Sequence, residues 1–306
     1  MASQEKTVLF TVITVAYNSS TWIKEAIESV LASDYIDFEF FISDDCSTDD
    51  TWKIIENYND PRIKAIKQTI NIGEYNNRNF AIKNAVGKYV LFVDADDMLY
   101  KDTLGKLKSY IDRYPEVDTI WGIPKEKWPF IQLPFLLKPP EAINWIYLAN
   151  LHPIAQIGFS ETIFKRESLL QIGGFATDYI TGDTHIKKML AINNSILLVP
   201  AGIIFWRVSS NQASGKLSLN YNGYRNNVKI DKEVIESLKK LHAQVDIKKI
   251  EKNIQVRNVK LWVKHTIRKR KFKDAYILFK EFHFRVSDLK YLFIKGDYKY
   301  RDQLEG

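Results

Sequence analysis

The chain predicts an α/β fold: a doubly wound, mostly parallel sheet flanked by helices, with a C-terminal helical extension. Three observations carry that expectation. From Val8 to Asp97, short β-branched or apolar runs alternate with amphipathic stretches at short spacing. One run, Val90 to Val93, is wholly apolar, as a strand buried on both faces should be. It ends in Asp94-Ala95-Asp96-Asp97, three carboxylates within four residues. In open α/β sheets the carboxyl ends of strands are where ligands bind.

The elements follow in order. Val8 to Val15 reads as a strand. Ser20 or Thr21 can cap a helix reaching about Ala32, with Ile23, Ala26, Ile27 and Val30 on one face. Phe38 to Ile42 is a second strand, closed by Ser43-Asp44-Asp45-Cys46-Ser47. A helix over Thr51 to Tyr58, a strand over Ile63 to Ile66, a turn at Asn71 to Glu74 and a helix from Tyr75 to Ala85 lead to the acidic strand. The edge strand expected last in this body is Val199 to Arg207. The domain boundary falls near 220, with 1–220 as the α/β body and 221–306 as a helical subdomain.

Composition narrows the function. The 306 residues are 45% apolar and 26% charged, enough for a substantial core. A single cysteine, Cys46, excludes an intrachain disulfide or a cysteine-rich metal site, and fits a reducing compartment. The start lacks a basic n-region, and the apolar run from Thr7 to Tyr17 is too short to span a bilayer, so a cytoplasmic location is expected. The net charge is +7, but residues 221–306 hold 22 Lys/Arg against 11 Asp/Glu, a net of +11, leaving −4 for the rest. A basic tail on a mildly acidic body suggests an anionic partner, such as the inner face of a membrane. No nucleic-acid recognition motif accompanies it.

Three carboxylates at the end of a core strand need a cation, donors or water. A hard divalent cation carrying phosphate oxygens needs only one or two of them. The plainer alternative is a solvated turn in which Asp97 caps a helix over Met98 to Tyr114. Asp44 and Asp45 supply a second acidic strand end on the same edge, and Arg78 on a nearby helix could hold a base or phosphate. The loop Ala16-Tyr17-Asn18-Ser19-Ser20 has no glycine-rich turn, so a Rossmann dinucleotide site is not expected, nor is a Walker loop present.

Five ordered motifs carry a resemblance: Thr11 to Asn18, Ile42 to Thr51, Asn71-Ile72-Gly73, Arg78 to Ile82 and Gly87 to Asp97. Together they resemble the family 2 glycosyltransferases of the GT-A fold, over roughly the first 215 residues. The resemblance implies a nucleotide-sugar donor, usually a UDP-sugar, a Mn²⁺ or Mg²⁺ ion, and inversion at the anomeric carbon. It implies that Ala16 and Tyr17, with Asn18, line the base and that Asp44 or Asp45 accepts from it. Arg78 would lie near the base, Asp94 and Ala95 near the ribose, and Asp96, with Asp97, on the metal. Thr181-Gly182-Asp183 stands where the family more often has Glu-Asp, so Asp183 is the candidate base, doubling as a helix cap, with Asp178 behind it. Arg207 could contact phosphate, while Ser209 and Ser210 replace a histidine usual in that loop. Cys46 replaces a commoner Gly, which should alter the turn only locally.

The rest is less regular. Five of the nine prolines lie between Pro124 and Pro140, interleaved with Trp121, Trp128, Phe130 and Phe135. Proline at this density precludes a central strand there. It makes either a rigid loop or an aromatic wall for an acceptor sugar. Glu141 to Leu151 reads as a helix, and His152 as structural. Ile230 to Val245 and Ile247 to Arg270 read as helices. Ala275 to Ile294, rich in aromatics, either packs on the body or rests on anionic lipid. The expected activity is an inverting, metal-dependent sugar transfer to a glycan or lipid-linked glycan. A nucleotidyltransferase would need a basic glycine-rich triphosphate loop, which is absent. A non-catalytic sugar-binding module or a donor hydrolase remain as alternatives.

Overall fold

The structure, a computed structural model, describes residues 8–124, 131–148, 158–207, 222–241, 245–269, 272–282 and 284–293. The first half alternates β1 (Phe10–Ala16), α1 (Ile23–Leu31), β2 (Phe38–Asp44), α2 (Thr51–Glu56), β3 (Ile63–Lys67), α3 (Glu74–Asn84) and β4 (Tyr89–Phe92). Then come β5 (Met98–Leu99), α4 (Thr103–Arg113), β6 (Thr119–Ile123), β7 (Phe135–Leu137) and α5 (Glu141–Tyr147). Next are β8 (Thr162–Lys165), α6 (Arg166–Gln171), α7 (Gly182–Asn193), β9 (Ile196–Pro200) and β10 (Ile204–Phe205). The C-terminal region contributes α8 (Asn222–Leu241), α9 (Ile247–Lys269), α10 (Phe272–Glu281) and a 3₁₀ segment over Val286–Phe293.

Eight strands form one sheet in the order β3-β2-β1-β4-β8-β6-β9-β7. The β3-β2-β1-β4 block is parallel, as the sequence predicts; β8 runs antiparallel to both β4 and β6, and β7 antiparallel to β9. Both faces are covered. Phe10, Val12, Phe40, Tyr89 and Leu91 face one core with Ile27 of α1 and Leu104 of α4. Ile13, Phe41, Val90 and Phe92 face the other with Ala81 of α3 and Ile186 of α7. This strict alternation is why the central strands read as continuous apolar runs.

Several local expectations are corrected. Neither Ser20 nor Thr21 caps α1; the Ser19 carbonyl accepts from the N–H groups of Trp22 and Ile23, and no side chain caps the helix. Asp97 caps no helix. Met98–Leu99 instead pairs with β10, and α4 begins only at Thr103. The expected edge strand splits in two: β9 is interior between β6 and β7, and β10 belongs to the small two-stranded sheet. Trp121 is core on β6, not part of an acceptor wall, and Phe135 stacks on Trp145 at 5.3 Å. Trp128, Phe130, His152, Ser209 and Ser210 lie outside the described residues.

The C-terminal helices pack on the sheet. Ile230, Val234 and Leu238 of α8 and Ile250 of α9 share a core with Trp121 of β6, Leu198 of β9 and Ala142 of α5. A buried charge cluster locks this junction. Asp231, 1% exposed, accepts from Lys188 Nζ of α7 at 2.7 Å and from the Tyr147 hydroxyl at 2.8 Å, and pairs with Arg257 of α9. A buried carboxylate of this kind persists only with such partners.

Candidate active site

The carboxyl ends of β1, β2 and β4 lie side by side, so the loops that follow them meet on one edge. At the β2 end, Asp44 is fully buried and accepts from the Ser47 N–H at 3.0 Å and from the Ser47 hydroxyl. Asp45 is 3% exposed; its two oxygens accept from the N–H groups of Ile72 and Gly73 at 2.8 and 2.9 Å. Its own N–H donates to the Ala16 carbonyl at 2.8 Å, which ties this turn to β1.

The β1 loop is held by the same turn. Asn18 takes φ 49°, its N–H donates to Ser47 Oγ, and its Oδ1 accepts from the Thr48 N–H at 2.8 Å. Ala16 is buried beneath it, while Tyr17 is half exposed at the rim. Cys46 adopts φ 61°, a left-handed conformation that glycine takes without strain. This is the physical reason a Gly is commoner there.

Arg78 of α3 ties that helix to the β4 end. Its Nη2 donates to Asp94 Oδ1 at 2.7 Å and to Glu74 Oε1 at 3.0 Å. The guanidinium sits 5.1, 4.9 and 5.8 Å from the ring centres of Phe92, Phe159 and Phe175. This aromatic surround and two carboxylates keep it charged although it is buried; despite desolvation, its pKa is held above the usual arginine value.

The β4 end differs in kind. Asp97 is buried and takes one N–H, from Arg207 at 2.9 Å. Burial is the first cause that raises its pKa to about 7, and Asp94 and Asp96 add to it. Asp96 is also raised, by burial and then by Asp94. Arg207 lies over the segment: its Nε donates to the Asp96 carbonyl at 2.9 Å, its Nη2 to Glu25 at 2.6 Å, and it sits 4.1 Å from the Trp22 ring centre. Ala95 is buried between the carboxylates. Next to Arg207, Trp206 is 53% exposed, an aromatic face at this rim that sequence reading passed over.

Asp183 lies in the first turn of α7, whose capping residue is Thr181 and which has no side-chain cap bond, so the cap expected of Asp183 is not formed. Tyr75 connects it to the rest of the site. The Tyr75 hydroxyl donates to the Ile180 carbonyl at 3.0 Å and accepts from the Gly182 N–H at 2.9 Å. A Cβ on Gly182 would stand 2.9 Å from the Tyr75 ring. The tyrosine therefore fills the space a side chain at 182 would need. Burial and then the Asp183 charge raise the Tyr75 pKa to about 12. Tyr75 precedes Arg78 by three residues on α3, so one helix braces both the carboxylate edge and the α7 start. Asp178 is exposed and ion-paired to Lys229 of α8, away from this arrangement.

The chain's sheet order and its acidic strand ends define a GT-A fold. A family model described as "Glycosyl transferase family 2" matches residues 11–169, more than half of the chain, and the protein belongs to that family. It is 39% identical over 109 residues to the poly(ribitol-phosphate) beta-N-acetylglucosaminyltransferase TarS of Staphylococcus aureus, covering 34% of this chain and 19% of that protein. It is 44% identical over 89 residues to the UDP-Glc:alpha-D-GlcNAc-diphosphoundecaprenol beta-1,3-glucosyltransferase WfaP of Escherichia coli, covering 29% of this chain and 36% of that one. Both matches thus span well under two thirds of the relative's own length. The crystal structure of S. aureus TarS 1–349 in complex with UDP-GlcNAc superposes with a TM-score of 0.61 at 22% identity, over 84% of this chain and 72% of that one. That likeness shows the fold.

Proposed function

We propose that this chain transfers a sugar from a nucleotide-diphosphate donor, a UDP-sugar above all, to a hydroxyl of a glycan or lipid-linked glycan in bacterial surface-polysaccharide assembly. The observation that carries the reading is the β4 end: buried Asp97 and half-buried Asp96, mutually repelling carboxylates beside Arg207, on the edge where the Arg78–Asp94 pair and the β1 loop converge. The UDP-GlcNAc in the TarS complex and the UDP-Glc in the WfaP name support UDP as the carrier.

The donor set suits Mn²⁺ or Mg²⁺. Among the described residues no group of three His, Cys, Asp or Glu side chains forms a cage. Asp96 and Asp97 are then the holding pair, with phosphate and water completing the shell. A bound cation would supply positive charge beside the leaving diphosphate.

The chain's own residues do the rest. Ala16, Tyr17 and Asn18 line the base, which takes over the bond that Ser47 Oγ makes to Asp44. Arg78 holds Asp94 and Ala95 in place against the ribose. Asp183 takes the proton from the acceptor hydroxyl as its oxygen attacks the anomeric carbon from the face opposite the diphosphate, so the configuration inverts in one step. No enzyme nucleophile is needed.

The test is UDP release from UDP-GlcNAc and UDP-Glc, with and without glycan acceptors. Asp183→Asn should lower acceptor-dependent release by about 100-fold or more while nucleotide binding persists. Full turnover in that variant removes Asp183 from its role, and release indifferent to acceptor makes the protein a donor hydrolase.

A further inference from the structure

Among the described residues, sixteen large apolar side chains are exposed, and six of them fall in the short stretch 272–293. They are Phe272, Tyr276 and Ile277 on α10, and Val286, Leu289 and Phe293 on the 3₁₀ segment. Phe293 is 85% exposed, Val286 75% and Phe272 66%. The inner side of these elements is already satisfied. Leu278 and Phe284 are buried, the Trp262 ring of α9 packs tilted against Phe279 and Phe284 at 5.5 and 5.9 Å, and Gln255 of α9 donates to Asp288 at 3.3 Å. Phe272, Val286 and Phe293 therefore leave most of their surface uncovered by the fold.

Charge decides what covers them. Residues 264–293 hold nine Lys/Arg and three Asp/Glu, and 264–273 alone hold six Lys/Arg and no acid. Two of the three acids are engaged: Glu281 pairs with Arg225, and Asp288 accepts from the Arg285 N–H at 2.8 Å. The Lys280 and Lys290 ammonium groups sit 4.8 and 5.4 Å from the rings of Tyr276 and Tyr291. A cation over an aromatic body is how side chains straddle a polar headgroup and an acyl boundary. A second copy of this face would bring the exposed Lys280, Arg285 and Lys290 against like cations, which like charges oppose.

We propose that the outer face of α10 and the 3₁₀ segment rests on an anionic lipid bilayer, with Phe272, Val286 and Phe293 dipping below the headgroups. No helix among the described residues is long and apolar enough to cross a membrane, so the contact is peripheral. The inference deepens the proposed function by giving a place where a lipid-linked acceptor is met; it rests on that reading only for the acceptor, not for the contact.

The test is flotation of the full chain with vesicles of phosphatidylcholine alone and of phosphatidylcholine with about one-third phosphatidylglycerol. The chain should float only with the anionic vesicles and lose that binding as salt rises. The triple variant Phe272→Ser/Val286→Ser/Phe293→Ser should bind at least tenfold more weakly, with an unchanged melting temperature and unchanged UDP-induced thermal shift. Should the triple variant melt early, Phe293→Ser alone, on a fully outward side chain, decides. Equal binding by wild type and variant, no binding to anionic vesicles, or a wild-type dimer that the variant dissociates overturns the proposal. Because the nucleotide shift is read in the same samples, failure here is separable from failure of the transfer reading.

Discussion

Two strand ends in this protein carry the same signal in sequence and different chemistry in structure. At the β2 end, Asp44 and Asp45 are buried but saturated by donors from Ser47, Ile72 and Gly73. At the β4 end, Asp97 is buried and Asp96 half-buried, both with raised pKa values; the Arg207 N–H donates to Asp97, and Arg78 engages Asp94. The first pair builds the loops; the second stores unfavourable charge that a cation can relieve. An acidic strand end therefore becomes a candidate metal site only when the local backbone does not already neutralise it.

The contrast can be broken from either side. Asp45→Ala should be the most damaging change, costing about 3–5 kcal/mol because two buried N–H groups lose charge-assisted bonds; chemical denaturation measures it. Asp97→Asn should do the opposite in metal-free protein at pH 8, stabilising it by about 2–3 kcal/mol while weakening cation-dependent nucleotide binding. The sign follows from linkage. The folded protein holds a proton on Asp97 between the ordinary 3.8 and about 7, so stability falls as pH rises through that window and levels off above it. Asp97→Asn should lack that fall, and added Mn²⁺ should flatten it in wild type, in melts at pH 5 and pH 8. Gly182→Glu, which restores the acidic pair usual in the family, should cost about 2 kcal/mol by crowding Tyr75, and less in a Tyr75→Ala background. The double-mutant cycle reads that coupling directly. Smallest is Cys46→Gly: relief of the left-handed φ of about 1 kcal/mol is offset by the entropy of glycine, so stability should move by under about 1 kcal/mol with UDP binding intact.

The parallel half was legible because β1, β2 and β4 are buried on both faces and each ends in a polar turn, while the edge strand β3 is only partly covered; β1 to β4 and α1 to α3 fall close to where the sequence predicts them. The four apolar positions of α1 read from sequence are the four that are buried. What sequence could not give was pairing across distance. Phe159 and Phe175 surround Arg78 from a segment some 80 to 100 residues away, and no spacing encodes that. The Tyr75–Gly182 fit has a visible trace only in hindsight, as a glycine where an acid is usual. The Asp231 cluster draws on α5, α7, α8 and α9 and leaves no local motif at all. Asp97 reads as a helix cap because β5, two residues long, is held by pairing to a strand more than a hundred residues later, which local periodicity does not report.

The most direct test of the central claim, that the β4 carboxylates take a cation with the nucleotide, is UDP-induced thermal stabilisation of wild type and Asp96→Asn. Each is measured with Mn²⁺, with Mg²⁺ and with EDTA. The account expects a clear shift in wild type with metal, loss of it in EDTA, and no metal-dependent shift in Asp96→Asn, whose melting temperature without ligand is unchanged or higher. A shift of equal size in EDTA, or one retained in full by Asp96→Asn, would contradict it.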